Sequence, residues 1–134
     1  MADRKRIASY GENDGVIIDE IEGGEGLFVV TMNNPAEFNV LSSGFMRAIA
    51  EAFDGITALR SADPNNDHVR AVILRAEGRA FTVGLDISKL NEYIEAGITP
   101  AGDPFRAMWD CPFPIIGAVN GPAVTGGFEI ALCC

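Results

Sequence analysis

The sequence predicts a single α/β domain, and three features carry that prediction. Short apolar runs of strand character alternate with stretches whose apolar residues recur every three or four positions. A length of 134 residues suits one domain, and 48% apolar against 22% charged residues is the composition of a chain with a core to bury. Bends at Gly84 and at Gly126-Gly127 each join an extended segment directly to a helix start.

The elements follow in order. Residues 1–14 are polar and read as a flexible lead-in, which leaves 15–134 as the folded core. Val16–Ile21 and Leu27–Met32 read as paired strands, with Gly23–Gly26 as the turn of a hairpin. Asn33–Asn39 interrupts regular structure, because Pro35 lacks a donor and asparagines favour turns. Ser42 or Ser43 can cap the helix that follows. In it Phe45, Met46, Ile49, Ala52, Phe53, Ile56 and Leu59 make one apolar stripe. Val69–Leu74 is a third strand, apolar enough to be covered on both faces. Ala80–Val83 is short and extended, and Gly84 bends it toward a second helix running through Leu90 and Ile94. Residues 97–104 read as loop, 105–109 as a short helix, and Ile115–Asn120 as a fourth strand ended by Gly121-Pro122. A last helix starts at Gly126.

Several function classes are excluded. The net charge is −9 and the only basic run is Arg4-Lys5-Arg6, so no nucleic-acid partner is expected. No apolar segment reaches the roughly 18–20 residues that span a bilayer, and the charged start carries no secretory signal. A cytoplasmic protein with no membrane partner is the expectation. Cys111, Cys133 and Cys134 have no metal-ligand spacing and read as reduced, buried thiols, so no metal is expected. His68 sits in a polar loop with no acid or nucleophile at a useful spacing, and reads as a surface residue. No Gly-x-Gly-x-x-Gly follows a strand, which removes a dinucleotide-binding module.

Chemistry is expected at the two glycine bends, Phe81–Ile87 and Val124–Glu129. A helix start presents backbone N–H groups without intrahelical acceptors, and the aligned peptide dipoles add positive potential there. Glycine lets a ligand atom approach such a donor. Two facing donors of this kind make an oxyanion hole. Glu129 follows Gly126 by one helical turn, within reach of whatever the first-turn amides hold. It reads either as a proton carrier or simply as an anion favoured in a helix's first turn.

Three stretches then carry a resemblance: Met32-Asn-Asn-Pro-Ala-Glu-Phe-Asn-Val-Leu-Ser42, Val69–Ile87 and Pro114–Leu132, in this order and spacing. Together they resemble the crotonase family, typified by enoyl-CoA hydratases. The resemblance implies a spiral of ββα units, of which this chain is the N-terminal half, ending before the C-terminal helices that build a trimer. It implies an acyl-CoA thioester as ligand, no cofactor beyond the coenzyme A of that substrate, and a homotrimer or hexamer of the full-length chain. The implied oxyanion donors are the amides of Leu85 and Gly126, and Glu129 matches the first of two catalytic glutamates. Val83, Gly84, Asp86 and Ile87, with Phe38, Val40 and Thr125, are implied to line the substrate pocket. Phe38 stands where a basic residue is usual, and Thr125 where glycine is common beside the hole. The second glutamate of the family matches no residue here. The implied activity is addition of water to an α,β-unsaturated acyl-CoA; the alternatives are isomerisation of the double bond, or a silent fragment that only binds acyl-CoA.

Overall fold

The computed structural model describes residues 2–62, 65, 68–96 and 102–134. A five-stranded sheet runs in the order β1 (Arg4–Tyr10), β2 (Val16–Ile21), β3 (Leu27–Met32), β4 (Ala71–Ala76), β5 (Ile115–Ala118). The first three strands are antiparallel and the last two pairings are parallel. Helix α1 (Ser43–Ala62) is the crossover from β3 to β4. Helices α2 (Leu90–Ala96) and α3 (Pro104–Asp110) lie between β4 and β5, and α4 (Gly126–Leu132) follows β5.

The hairpin lies where its two apolar runs put it, with Val16 opposite Met32 and Glu20 opposite Phe28. The Ser42 hydroxyl accepts from Phe45 N at 3.2 Å, so Ser42 rather than Ser43 caps α1. The stripe of α1 packs on one sheet face, where Phe45, Met46, Ile49, Phe53 and Ile56 meet Val16, Ile18, Phe28, Val30, Val72 and Leu74. Each such side chain contributes about 1.5–3 kcal/mol over its exposed state, so this layer holds the domain together.

Four expectations are corrected. Residues 4–10 form an edge strand instead of a flexible lead-in, pairing from Arg4–Ile21 to Tyr10–Val16. Charge hides it in the sequence, since an edge strand needs few apolar residues and basic side chains protect its free edge. Ala8 and Tyr10 pack against the core, and Arg6 Nε lies 2.8 Å from Asp19 Oδ1. Second, β4 starts at Ala71 instead of Val69, because its parallel register with β3 begins after Arg70 N bonds Gly26 O at 2.9 Å. Its burial alternates: Val72, Leu74 and Ala76 are buried, while Ala71, Ile73 and Arg75 are half-buried, so one face alone is fully covered. Third, β5 stops at Ala118, and Asn120 leaves the ladder to donate to Gly78 O at 2.9 Å. Fourth, Cys111 and Cys133 are only half-buried and Cys134 is exposed; all three thiols are free.

Asp103 caps α3 by accepting from Phe105 N (2.9 Å) and Arg106 N (3.3 Å), and Arg106 reaches Asp54 of α1 at 2.9 Å. Of the loop expected over 97–104, residues 97–101 lie outside the described residues. His68 is a surface residue, with Nε2 2.9 Å from Glu20 Oε1 and its ring edge-on to Phe28. Among the described residues no helix is long and apolar enough to cross a membrane, and no cluster of metal-ligating side chains occurs.

Candidate active site

Three segments that are distant in sequence meet along residues 81–84. On one side Phe81 N and Thr82 N donate to Pro122 O (3.0 and 3.2 Å), and Val124 N donates to Thr82 O (3.1 Å). On the other, Val83 N donates to Phe38 O (3.2 Å) and Leu41 N to Gly84 O (2.8 Å). The stretch too short to be a full strand therefore ties the 38–41 loop to the start of α4. Buried Thr82 keeps the bend in shape, its hydroxyl accepting from Gly84 N at 3.1 Å.

Asn39 and Tyr93 anchor this arrangement. Asn39 is fully buried at φ 54°, a left-handed conformation that asparagine tolerates better than most residues. Its amide donates to Glu77 O (2.9 Å) and Ala80 O (3.1 Å), and its carbonyl accepts from Asn34 N (2.8 Å). The Tyr93 hydroxyl donates to Leu41 O at 2.8 Å and accepts from Asp86 N at 3.4 Å. Sequence reasoning singled out neither residue. The signal for Asn39 was a third asparagine in a turn that already held two; for Tyr93 it was a phenol in a helix whose Leu90 and Ile94 are exposed. Asn39→Ala strands three backbone groups, and each buried orphan costs about 1–3 kcal/mol less any water that enters. A loss of about 2 kcal/mol or more in urea unfolding is expected.

The two glycine bends are in contact. Gly84 has φ 82°, and a Cβ placed on it would overlap the Thr125 hydroxyl, lie 2.5 Å from Val124 O and 3.3 Å from Gly126 N. A Cβ placed on buried Gly126 would fall 3.2 Å from a Leu41 methyl, 3.8 Å from Glu129 Oε2 and 3.9 Å from Leu85 Cγ. Leu41, Leu85 and Glu129 thus converge on one glycine. Among the described residues, neither the Leu85 nor the Gly126 N–H has an acceptor. Thr125 is at φ 48°, ψ −118°, and Gly127 N donates to Val124 O at 2.8 Å, which defines a type II′ turn opening α4.

The other residues expected to line a pocket differ in exposure and engagement. Phe38, Val83 and Leu85 are exposed beside these bends, while Ile87 is 81% exposed. Val40 is half-buried and donates its N–H to Glu37 O at 3.1 Å. The Asp86 carboxylate is engaged with Ser88, accepting from its N–H (3.0 Å) and hydroxyl (2.5 Å). The Ser88 hydroxyl is the main reason the Asp86 carboxyl is held below its ordinary value, desolvation opposing it and the Ser88 N–H and Lys89 assisting. A cavity of about 580 Å³ lies off this cluster, between Glu12, Asn34, Ser42 and Lys89, and includes none of Leu85, Gly126 or Glu129.

A mixed sheet, a crossover helix and two touching glycine bends define the class as an α/β fold; the bend at Gly126 opens α4 directly, whereas after Gly84 the helical turn begins only at Ile87, capped by Asp86, and not at Leu85 as expected. The family model described as enoyl-CoA hydratase/isomerase matches residues 22–134, and the chain belongs to that family. The chain is 34% identical over 110 residues to a probable peroxisomal enoyl-CoA hydratase 1 of Arabidopsis thaliana, covering 81% of this chain and 39% of that one. It is 28% identical over 120 residues to the human mitochondrial Delta(3,5)-Delta(2,4)-dienoyl-CoA isomerase, covering 78% and 34%. An enoyl-CoA hydratase/carnithine racemase structure from Magnetospirillum magneticum superposes with a TM-score of 0.74 at 30% identity, over 93% of this chain and 46% of that one. The chain therefore spans less than half the length of these relatives, and its fold is the crotonase fold over that span.

Proposed function

We propose that this chain supplies the oxyanion hole and one acid/base of an enoyl-CoA hydratase-type site. The convergence of the Leu41, Leu85 and Glu129 side chains on Gly126 supports the reading, because it brings a carboxylate to a glycine whose amide lacks an acceptor, as the Leu85 amide does too. The thioester C=O of an α,β-unsaturated acyl-CoA accepts from Leu85 N–H and Gly126 N–H. As water oxygen bonds to the β-carbon and gives up a proton to a carboxylate, the π electrons move toward the carbonyl, and the two amides stabilise the resulting enolate oxygen. The α-carbon then takes a proton and the carbonyl re-forms. Glu129 acts as one acid/base in this exchange, and a second carboxylate from outside residues 1–134 completes it. Val83, Gly84 and Leu85 with Phe38 border the acyl-thioester path, and assembly as a homotrimer or hexamer belongs to the longer protein.

The test joins residues 1–134 to the C-terminal half of the Magnetospirillum magneticum relative and follows loss of the enoyl chromophore of crotonyl-CoA. Hydration is expected. A folded chimera that binds crotonyl-CoA without turning it over would leave the chain as a binding fragment and end the enzymatic reading. A second reading, isomerisation, draws on Glu129 being the carboxylate that approaches Gly126, since a proton shuttle needs only one base. It predicts a shifted double bond with no solvent oxygen in the product, which mass spectrometry in labelled water distinguishes.

A further inference from the structure

Thr125 is in an unfavourable place for a β-branched residue. Its φ of 48° and ψ of −118° belong to the first central position of a type II′ turn, where glycine is the usual occupant. The common reason for threonine at a helix start is absent, because its side chain makes no capping hydrogen bond. Its hydroxyl instead occupies the space that a Cβ on Gly84 would take. Gly84, at φ 82°, immediately precedes the Leu85 amide, and Thr125 immediately precedes the Gly126 amide. The exposed Thr125 side chain thus touches the residue that precedes one amide, while its own backbone precedes the other.

We propose that Thr125 is a positioning residue that sets the separation of the Leu85 and Gly126 amides. The inference rests on the oxyanion-hole reading above. A glycine at this position would relax the turn and leave a gap over Gly84, so the two peptides would drift relative to each other. Strain retained where geometry matters is a signature of such a role. Stability and ligand binding are therefore expected to move in opposite directions, which no ordinary packing contact does.

The experiment titrates the isotope-labelled 134-residue chain with butyryl-CoA, a saturated thioester that binds without being hydrated, and reads the Leu85 and Gly126 amide signals. In the unsubstituted chain both signals are expected to shift together. Thr125→Gly is expected to melt about 3–5 °C higher yet bind about tenfold more weakly, with the two amide shifts no longer moving in concert. Thr125→Ser, which keeps the hydroxyl, should restore most of the affinity. Unchanged affinity and paired shifts in Thr125→Gly would overturn this proposal alone. So would a joint loss of stability and affinity, since that marks a plain packing residue. If neither amide responds in the unsubstituted chain, the proposal and the oxyanion reading fall together.

Discussion

Gly84→Ala is expected to destabilise the chain by about 2–5 kcal/mol, the sum of about 1–2 for a left-handed residue that is not glycine and about 1–3 for overpacking. Both terms apply at this one position. Gly84 has φ 82°, and the added methyl would meet the Thr125 hydroxyl and a main-chain oxygen, Val124 O, 2.5 Å away. A flexible side-chain end could swing aside; a carbonyl held in the turn that opens α4 cannot do so without moving the turn. The change would also pull on Leu41 N, which donates to Gly84 O at 2.8 Å, so the 38–41 loop would loosen too. Gly44 is the control. It lies in the first turn of α1, and a methyl there meets nothing within 4 Å. Gly44→Ala should be neutral or stabilising by up to about 1 kcal/mol, since alanine is the better helix former. Urea denaturation followed by far-ultraviolet dichroism separates the two. Equal midpoints for both variants would mean that the two glycine bends do not touch as described.

The contrast between these glycines shows what a sequence displays and what it conceals. The apolar stripe of α1 and the apolar runs of β2 and β3 were legible because burial selects residue type directly. Ile49 and Phe53 are apolar because they meet a sheet, and the spacing betrays the helix. β1 was not legible, since its stability comes from main-chain pairing with β2 and its side chains face mostly solvent. The two bends were visible as glycines at the ends of extended segments, although only the one at Gly126 opens a helix directly. Which partner each glycine touches was not visible, because the contact of Gly84 with Val124–Gly126 spans some forty residues of chain. Asn39 was concealed for the same reason: its amide acts on Glu77 O and Ala80 O, and nothing near residue 39 in sequence announces those acceptors. Local pattern thus marked the two bends. Long-range hydrogen bonding joined them.

Glu129→Gln is the other change with a large expected effect, and it separates the two meanings that a carboxylate in the first turn of α4 can have. If Glu129 only answers the positive potential of the helix start, neutralising it costs about 0.3–1 kcal/mol of stability and leaves turnover intact. Its side chain is exposed, and the Glu129 N–H, not the carboxylate, makes the bond to Thr125 O at 3.1 Å, so little folding energy depends on the charge. If Glu129 moves protons, the amide is a close replacement in shape that cannot accept one at neutral pH. A fall in kcat of about 10²–10⁴ follows, the usual contribution of a positioned acid or base. KM should change little, because the thioester is held by the Leu85 and Gly126 amides, which the substitution leaves in place. The measurement is kcat and KM for crotonyl-CoA in the joined enzyme, with and without the change, alongside its urea midpoint. A large drop in kcat at constant stability assigns Glu129 to proton transfer. Full activity with a slightly lower midpoint assigns it to the helix, and the carboxylate 3.8 Å from the Cβ position of Gly126 would then be a neighbour of the hole with no part in its chemistry.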